Sequence, residues 1–145
     1  MCAYHSWHQL TDFSPLLLGV AASGANLYVV GGRSGCSGLS LCECYNTTTK
    51  TWRPIADLNI GRSQVAVCAL EDGRIVAAGG CNAWNCTNSV EIYDPTENKW
   101  NLLEPPLDAA RRGASVALFK SNCLVISINK FSSSHNRVIC LHMEN

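Results

Sequence analysis

The sequence predicts an all-β chain of repeated four-stranded antiparallel units, and three observations carry that reading. Residues recur at a fixed interval: Gly31-Gly32 returns as Gly79-Gly80, Tyr45-Asn46 as Tyr93-Asp94 and Trp52 as Trp100, each displaced by 48 positions without a gap. A period of about 20 to 50 residues marks a repeat architecture in which each unit is one supersecondary element. Short β-rich runs separated by turn residues occupy equivalent places in each unit, and no stretch carries an apolar stripe of helical spacing and adequate length.

Taken in order, residues 1–13 read as the last strand of a preceding unit. Leu10 and Ser14 keep the four-residue interval of Leu58 and Arg62, with Trp7 just ahead, although Ser14 stands where Arg is expected. The first full unit is 14–58 and the second 62–107. In the second, Val65 to Leu70 and Arg74 to Ala78 flank Glu71-Asp72-Gly73, which predicts a hairpin that Gly79-Gly80 stops. Val90 and Ile92 then alternate with Glu91 and Tyr93, Asp94 to Asn98 supply turn chemistry, and Lys99-Trp100 opens a fourth strand. Leu107 and Arg111 repeat Leu58 and Arg62 after one inserted residue. The third unit, 111–145, is degenerate: Ile128-Asn129 replaces the glycine pair, His142 takes the acidic position and no Trp follows.

A Gly-Gly pair closing one strand, a Tyr-Asp pair in a later one and a Trp seven residues on resemble the Kelch repeat. The resemblance implies Kelch-type β-propeller blades, each a four-stranded antiparallel sheet. It gives structural roles to Gly31, Gly32, Tyr45, Trp52, Arg62, Gly79, Gly80, Tyr93, Asp94, Trp100 and Arg111. The strands add up to an incomplete propeller of about three blades, whereas a closed one needs about 4 to 8. The expectation is therefore a piece or shortened product of a longer protein, with self-association through exposed blade edges as the alternative. The resemblance further implies a protein-interaction module, the substrate-recognition part of a Kelch-like adaptor for a cullin-type ubiquitin ligase. Its protein partner would be a ligase substrate. An actin-binding or cytoskeletal scaffold is the second reading, and a Kelch-propeller oxidase a distant third.

Composition narrows the partners. The 145 residues hold 11 Lys+Arg against 11 Asp+Glu and only 15% charged residues, with no basic stripe to neutralise phosphates, so nucleic acid is excluded as an expected partner. No apolar run approaches the ~20 residues of a membrane span. The first residues lack a basic leader and an apolar core, and nine cysteines at irregular spacing suit reduced thiols, so a cytoplasmic location is expected. The sequons at Asn46 and Asn85 point the other way.

Residues that could carry chemistry mostly dissolve into the repeat. Cys42 and Cys44 look like a ligand pair, yet the shift aligns them with Val90 and Ile92, so they are read as small core hydrophobes. Cys81 and Cys86 share one loop, but no second paired motif supplies the four ligands of a zinc site. The four histidines sit at the poorly matching ends, and no nucleophile and base are paired. No catalytic residue, metal or cofactor is expected. Recognition remains, and strand parity says where. Successive connections alternate ends, so the loop after a unit's second strand and the loop joining units open on one face. Arg33, Trp84, Asn85, Lys130 and Phe131 are the candidate partner-binding residues on it. Trp84, which no repeat position demands, reads equally as an interface anchor or as a ring folded back to fill a gap.

Overall fold

The computed structural model describes residues 17–119, 123–127 and 138–142. Among them there is no helix, and three larger sheets follow one another along the chain, with two two-stranded hairpins between strands of the first two. The first contains β1 (Gly19–Ser23), β2 (Asn26–Val30), β5 (Cys42–Asn46) and β6 (Thr51–Pro54), hydrogen-bonded in that order. Between β2 and β5 the chain forms a small hairpin of β3 (Arg33–Ser34) and β4 (Ser37–Gly38). The second blade repeats the plan with β7 (Ala66–Ala69), β8 (Ile75–Ala78), β11 (Val90–Asp94) and β12 (Lys99–Leu103). Its inserted hairpin is β9 (Cys81–Asn82) with β10 (Asn85–Cys86). The third sheet holds β13 (Ser115–Phe119), β14 (Cys123–Ser127) and β15 (Val138–His142). All these pairings are antiparallel.

The innermost strands lie side by side, β1 beside β7 and β7 beside β13, so the sheets fan out as blades from one edge. The four-stranded blades agree with the sequence reading. The inserted hairpins do not: Arg33 to Leu41 and Cys81 to Ser89 read as loops, because strands two residues long leave no alternation to detect. The strand expected around Trp7, and Lys130 and Phe131, lie outside the described residues.

Period-2 geometry explains why β8 is buried along its whole length. Ile75 and Ala77 face the first blade, joining Tyr28, Val30, Ile55, Leu58, Tyr93 and Trp100 in one core. Val76 and Ala78 face the other way, with Val90, Ile92 and Leu107, and meet Val116 and Leu118 of the third sheet. A central blade is thus apolar on both faces. Cys42 and Cys44 are buried at 2% and 0% exposure, as their alignment with valine and isoleucine requires. Burial pushes the Cys42 thiol up to about 12.

The two motif tryptophans differ. Trp100 is 3% exposed, stacks on Tyr93 with ring centroids 5.3 Å apart and donates its indole N–H to Ala56 O of the preceding unit at 2.9 Å. Trp52 stacks on Tyr45 at 5.0 Å but is 37% exposed, and Leu17 and Val20 of the same blade are each 46% exposed. Among the described residues no sheet covers that side of the first blade. Equivalence by sequence therefore does not give Trp52 the burial of Trp100, because burial comes from the neighbouring blade.

The glycine pairs are where blades touch. Gly31 and Gly79 have φ of +63° and +64°, a region costly for other residues. A Cβ on Gly31 would come within 2.5 Å of Arg62 O, and one on Gly79 within 2.7 Å of Arg111 O. Those same carbonyls accept the N–H of Gly32 and Gly80, each at 2.7 Å. Removing the side chain is what lets the next unit's backbone hydrogen-bond here.

Candidate functional site

Arg62 and Glu91 hold the loop face together from beneath. Both side chains are wholly buried and form an ion pair, Arg62 Nη2 to Glu91 Oε1 at 2.8 Å. The guanidinium also donates from Nη1 to Gly79 O at 2.7 Å and Ser89 O at 2.8 Å, and from Nη2 to Ser89 Oγ at 2.7 Å. Glu91 accepts from the backbone N–H of Asn59 and Ile60 and from Asn59 Nδ2. Burial pulls the guanidinium below its ordinary value, while the carboxylate beside it pushes back. The clasp thus ties the connection between blades to strand β11 of the second blade. Sequence reasoning took the recurrence of Glu43 with Glu91 as a property of the fold but did not pair it with the recurring Arg62 and Arg111. Two opposite charges, recurring at intervals of 48 (Glu43, Glu91) and 49 (Arg62, Arg111) residues, were the available signal.

Among the described residues the clasp is not reproduced in the third unit. Arg111 is 8% exposed and pairs with Asp108, and its Nε has no hydrogen-bond partner. In the second blade Ala77 faces Glu91 across the ladder; in the third, Ile126 faces Ile139. An isoleucine occupies the register position of the carboxylate.

Above this base the connections converge as strand parity requires. Leu39 bridges to Arg62 and Ser63 to Cys81, so each inserted hairpin is tied to the connection between blades. The two hairpins also meet, with Gly38 N donating to Asn82 Oδ1 at 3.0 Å. Between them opens a cleft of about 50 Å³ whose lining includes Arg33, Cys36, Gln64, Cys81, Trp84 and Arg112. Two guanidinium groups and no carboxylate line it, which favours anionic or carbonyl-rich ligands.

Of the five candidate binding residues, the structure brings Arg33 and Trp84 together in this cleft. Asn85 is exposed on the same hairpin, opposite Asn82, without lining the cleft. Trp84 is 84% exposed, so its ring is not folded back into a gap. It stands at the hairpin tip beside Ala83, whose φ of +54° is unusual for a residue with a Cβ. Arg112 was not singled out from sequence, since its neighbour Arg111 carried the repeat motif.

One feature overturns an expectation. Cys81 and Cys86, read as free loop thiols, are joined by a disulfide. They are register partners in the β9–β10 ladder, which places their Cα atoms 4.0 Å apart, a relation hidden while the segment read as a loop. Cys36, Cys42, Cys44 and Cys68 are free.

The Kelch motif model matches residues 17–59 and 61–107, which is most of the chain and includes both glycine pairs, both motif tryptophans and Arg62. The chain belongs to the Kelch-repeat family. Human Kelch-like protein 4 is 38% identical over 86 residues, covering 59% of this chain and 12% of that protein. Human Kelch repeat and BTB domain-containing protein 13 is 37% identical over 94 residues, covering 63% and 20%. A putative F-box/kelch-repeat protein of Arabidopsis thaliana is 29% identical over 99 residues, covering 66% and 26%. The Kelch chain spans a third or less of the curated relatives it matches, from 12% to 33% of their length.

Proposed function

We propose that this Kelch chain is a protein-interaction module and that its loop face is the recognition surface. The observation that carries the reading is the convergence of Arg33, Arg112 and the 84% exposed Trp84 on one cleft. Kelch geometry does not demand a tryptophan at that tip, since the equivalent position of the first blade is Cys36. Tryptophan and arginine are the side chains most enriched among residues that dominate binding energy. Relatives whose names join Kelch repeats to BTB or F-box domains support the finer reading, the substrate-recognition part of a ubiquitin-ligase adaptor.

Quantitative affinity capture tests this. A double variant, Arg33→Ala with Trp84→Ala, should lose specific partners that an Asp72→Ala variant retains, because Asp72 lies in the turn after β7 at the opposite end of the blade. Truncating such anchors typically costs about 2 kcal/mol or more each, roughly thirtyfold in affinity. Undiminished capture by the double variant, with loss in Asp72→Ala, would refute the loop-face assignment. Co-sedimentation with actin filaments instead of capture of a ligase substrate would favour the scaffold reading.

A further inference from the structure

We propose that Cys36, Cys81 and Cys86 form an intramolecular thiol–disulfide exchange site on the loop face. Three observations converge on it. Cys36 is an exposed free thiol at the turn of the β3–β4 hairpin, where the second blade carries Trp84. The disulfide Cys81–Cys86 closes the β9–β10 hairpin that bears Trp84. The two hairpins lie against each other: a Cβ on Gly38 would sit 2.7 Å from Cys81 O, and Gly38 N donates to Asn82 Oδ1 at 3.0 Å.

Cys36 and Cys81 line the same small cleft, whereas Cys86 is not among its lining residues. Cys81 is only 2% exposed, so the attack we propose comes from within the cleft. The Cys36 thiol gives its proton to solvent, and its sulfur attacks Cys81 Sγ from the cleft side. A Cys36–Cys81 bond forms as Cys81–Cys86 breaks. Cys86 departs with the electron pair on the far side and takes up a proton. One disulfide is exchanged for another, so no oxidant or reductant is consumed. Holding both partners in adjacent hairpins makes the step effectively unimolecular.

The product differs from the starting state in what it ties together. Cys81–Cys86 staples one hairpin across a single ladder; Cys36–Cys81 would staple the first blade's hairpin to the second's and release the strand leading away from Trp84. Among the described residues the other free thiols do not compete, because Cys42 and Cys44 are buried in the core and Cys68 is half-buried in β7. Neither the identity of a binding partner nor the role of Trp84 in binding enters this reasoning.

Disulfide mapping of the full chain by proteolysis and mass spectrometry, without reduction, tests the proposal after incubation with a trace of a small thiol. Wild type should yield a Cys36–Cys81 linked peptide beside Cys81–Cys86, in excess over every other Cys36-linked peptide. Cys36→Ser should lose it and retain only Cys81–Cys86. Cys86→Ser, oxidised in a glutathione redox buffer, should collect in the Cys36–Cys81 form. Stoichiometric alkylation of Cys36 in wild type with Cys81–Cys86 as the sole bridge would overturn the proposal, as would bridging of Cys36 to Cys42 or Cys68 at equal yield. The wild-type map decides the matter by itself should Cys86→Ser fail to fold.

Discussion

Replacing Glu91 by Gln should cost far more stability than the same charge removal at Asp72. Glu91 receives five donated hydrogen bonds: from Asn59 N, Asn59 Nδ2, Ile60 N, and Arg62 Nε and Nη2. A glutamine keeps one acceptor oxygen. Whichever way its amide is turned, the NH2 faces either the guanidinium or the Asn59 donors, donor against donor. Arg62 is then left charged at 0% exposure without its counter-ion. Breaking a buried pair in this way costs about 3 to 5 kcal/mol, a large share of the roughly 5 to 15 kcal/mol that holds a domain folded. Asp72 pairs with Arg74 at a comparable 2.6 Å, but with 49% and 32% of the two side chains exposed. An exposed pair contributes about 0 to 1 kcal/mol, and Asp72→Asn can still cap Arg74 N through its remaining oxygen. Urea denaturation separates the cases: at typical slopes of about 1 to 3 kcal/mol per molar, Glu91→Gln should move the midpoint by at least about 1 M and Asp72→Asn by far less. Equal shifts in the two variants would refute the argument that burial, and not pairing distance, sets the contribution.

Two further outcomes follow from the same packing. Trp100→Ala should destabilise by about 3 to 5 kcal/mol, as large core truncations do, and Trp52→Ala by clearly less, because Trp52 is 37% exposed against 3%; equal losses by thermal melting would show that the two positions share one environment. Stability should fall as pH rises above about 9, since burial holds the Cys42 thiol at about 12 while the unfolded chain's thiol ionises near its ordinary value and releases a proton the folded state keeps. Between those values Cys42 contributes a slope of about −1.4 kcal/mol per pH unit. Cys42→Val, which copies Val90, should flatten the decline by that amount in urea midpoints, and an unchanged slope would count against it.

What the sequence made legible was whatever repeats. The 48-residue interval placed the glycine pairs, the strands and Trp100, because a residue required by backbone contact recurs wherever the contact does. What escaped were relations between segments with no period of their own. The inserted hairpins are two residues per strand, so the Cys81–Cys86 pairing could not be seen. The cleft's Arg112 was overlooked beside the motif residue Arg111. Exposure of Trp52 depends on what lies over its blade, which recurrence cannot report. Strand parity, by contrast, is a property of antiparallel connection alone, and it led to Arg33 and Trp84 sharing a cleft before any contact was known.

The clasp and the cleft are mechanically one arrangement. Arg62 O receives Gly32 N at 2.7 Å, Ser63 pairs with Cys81, and both hairpins hang from those bonds. The Arg62–Glu91 pair thus holds the side of the cleft that presents Arg33 and Trp84. Arg112 stands on the other side, next to Arg111, whose Nε is unpaired and whose unit carries Ile139 where the second blade carries Glu91. The two guanidinium groups that line the cleft are accordingly supported unequally.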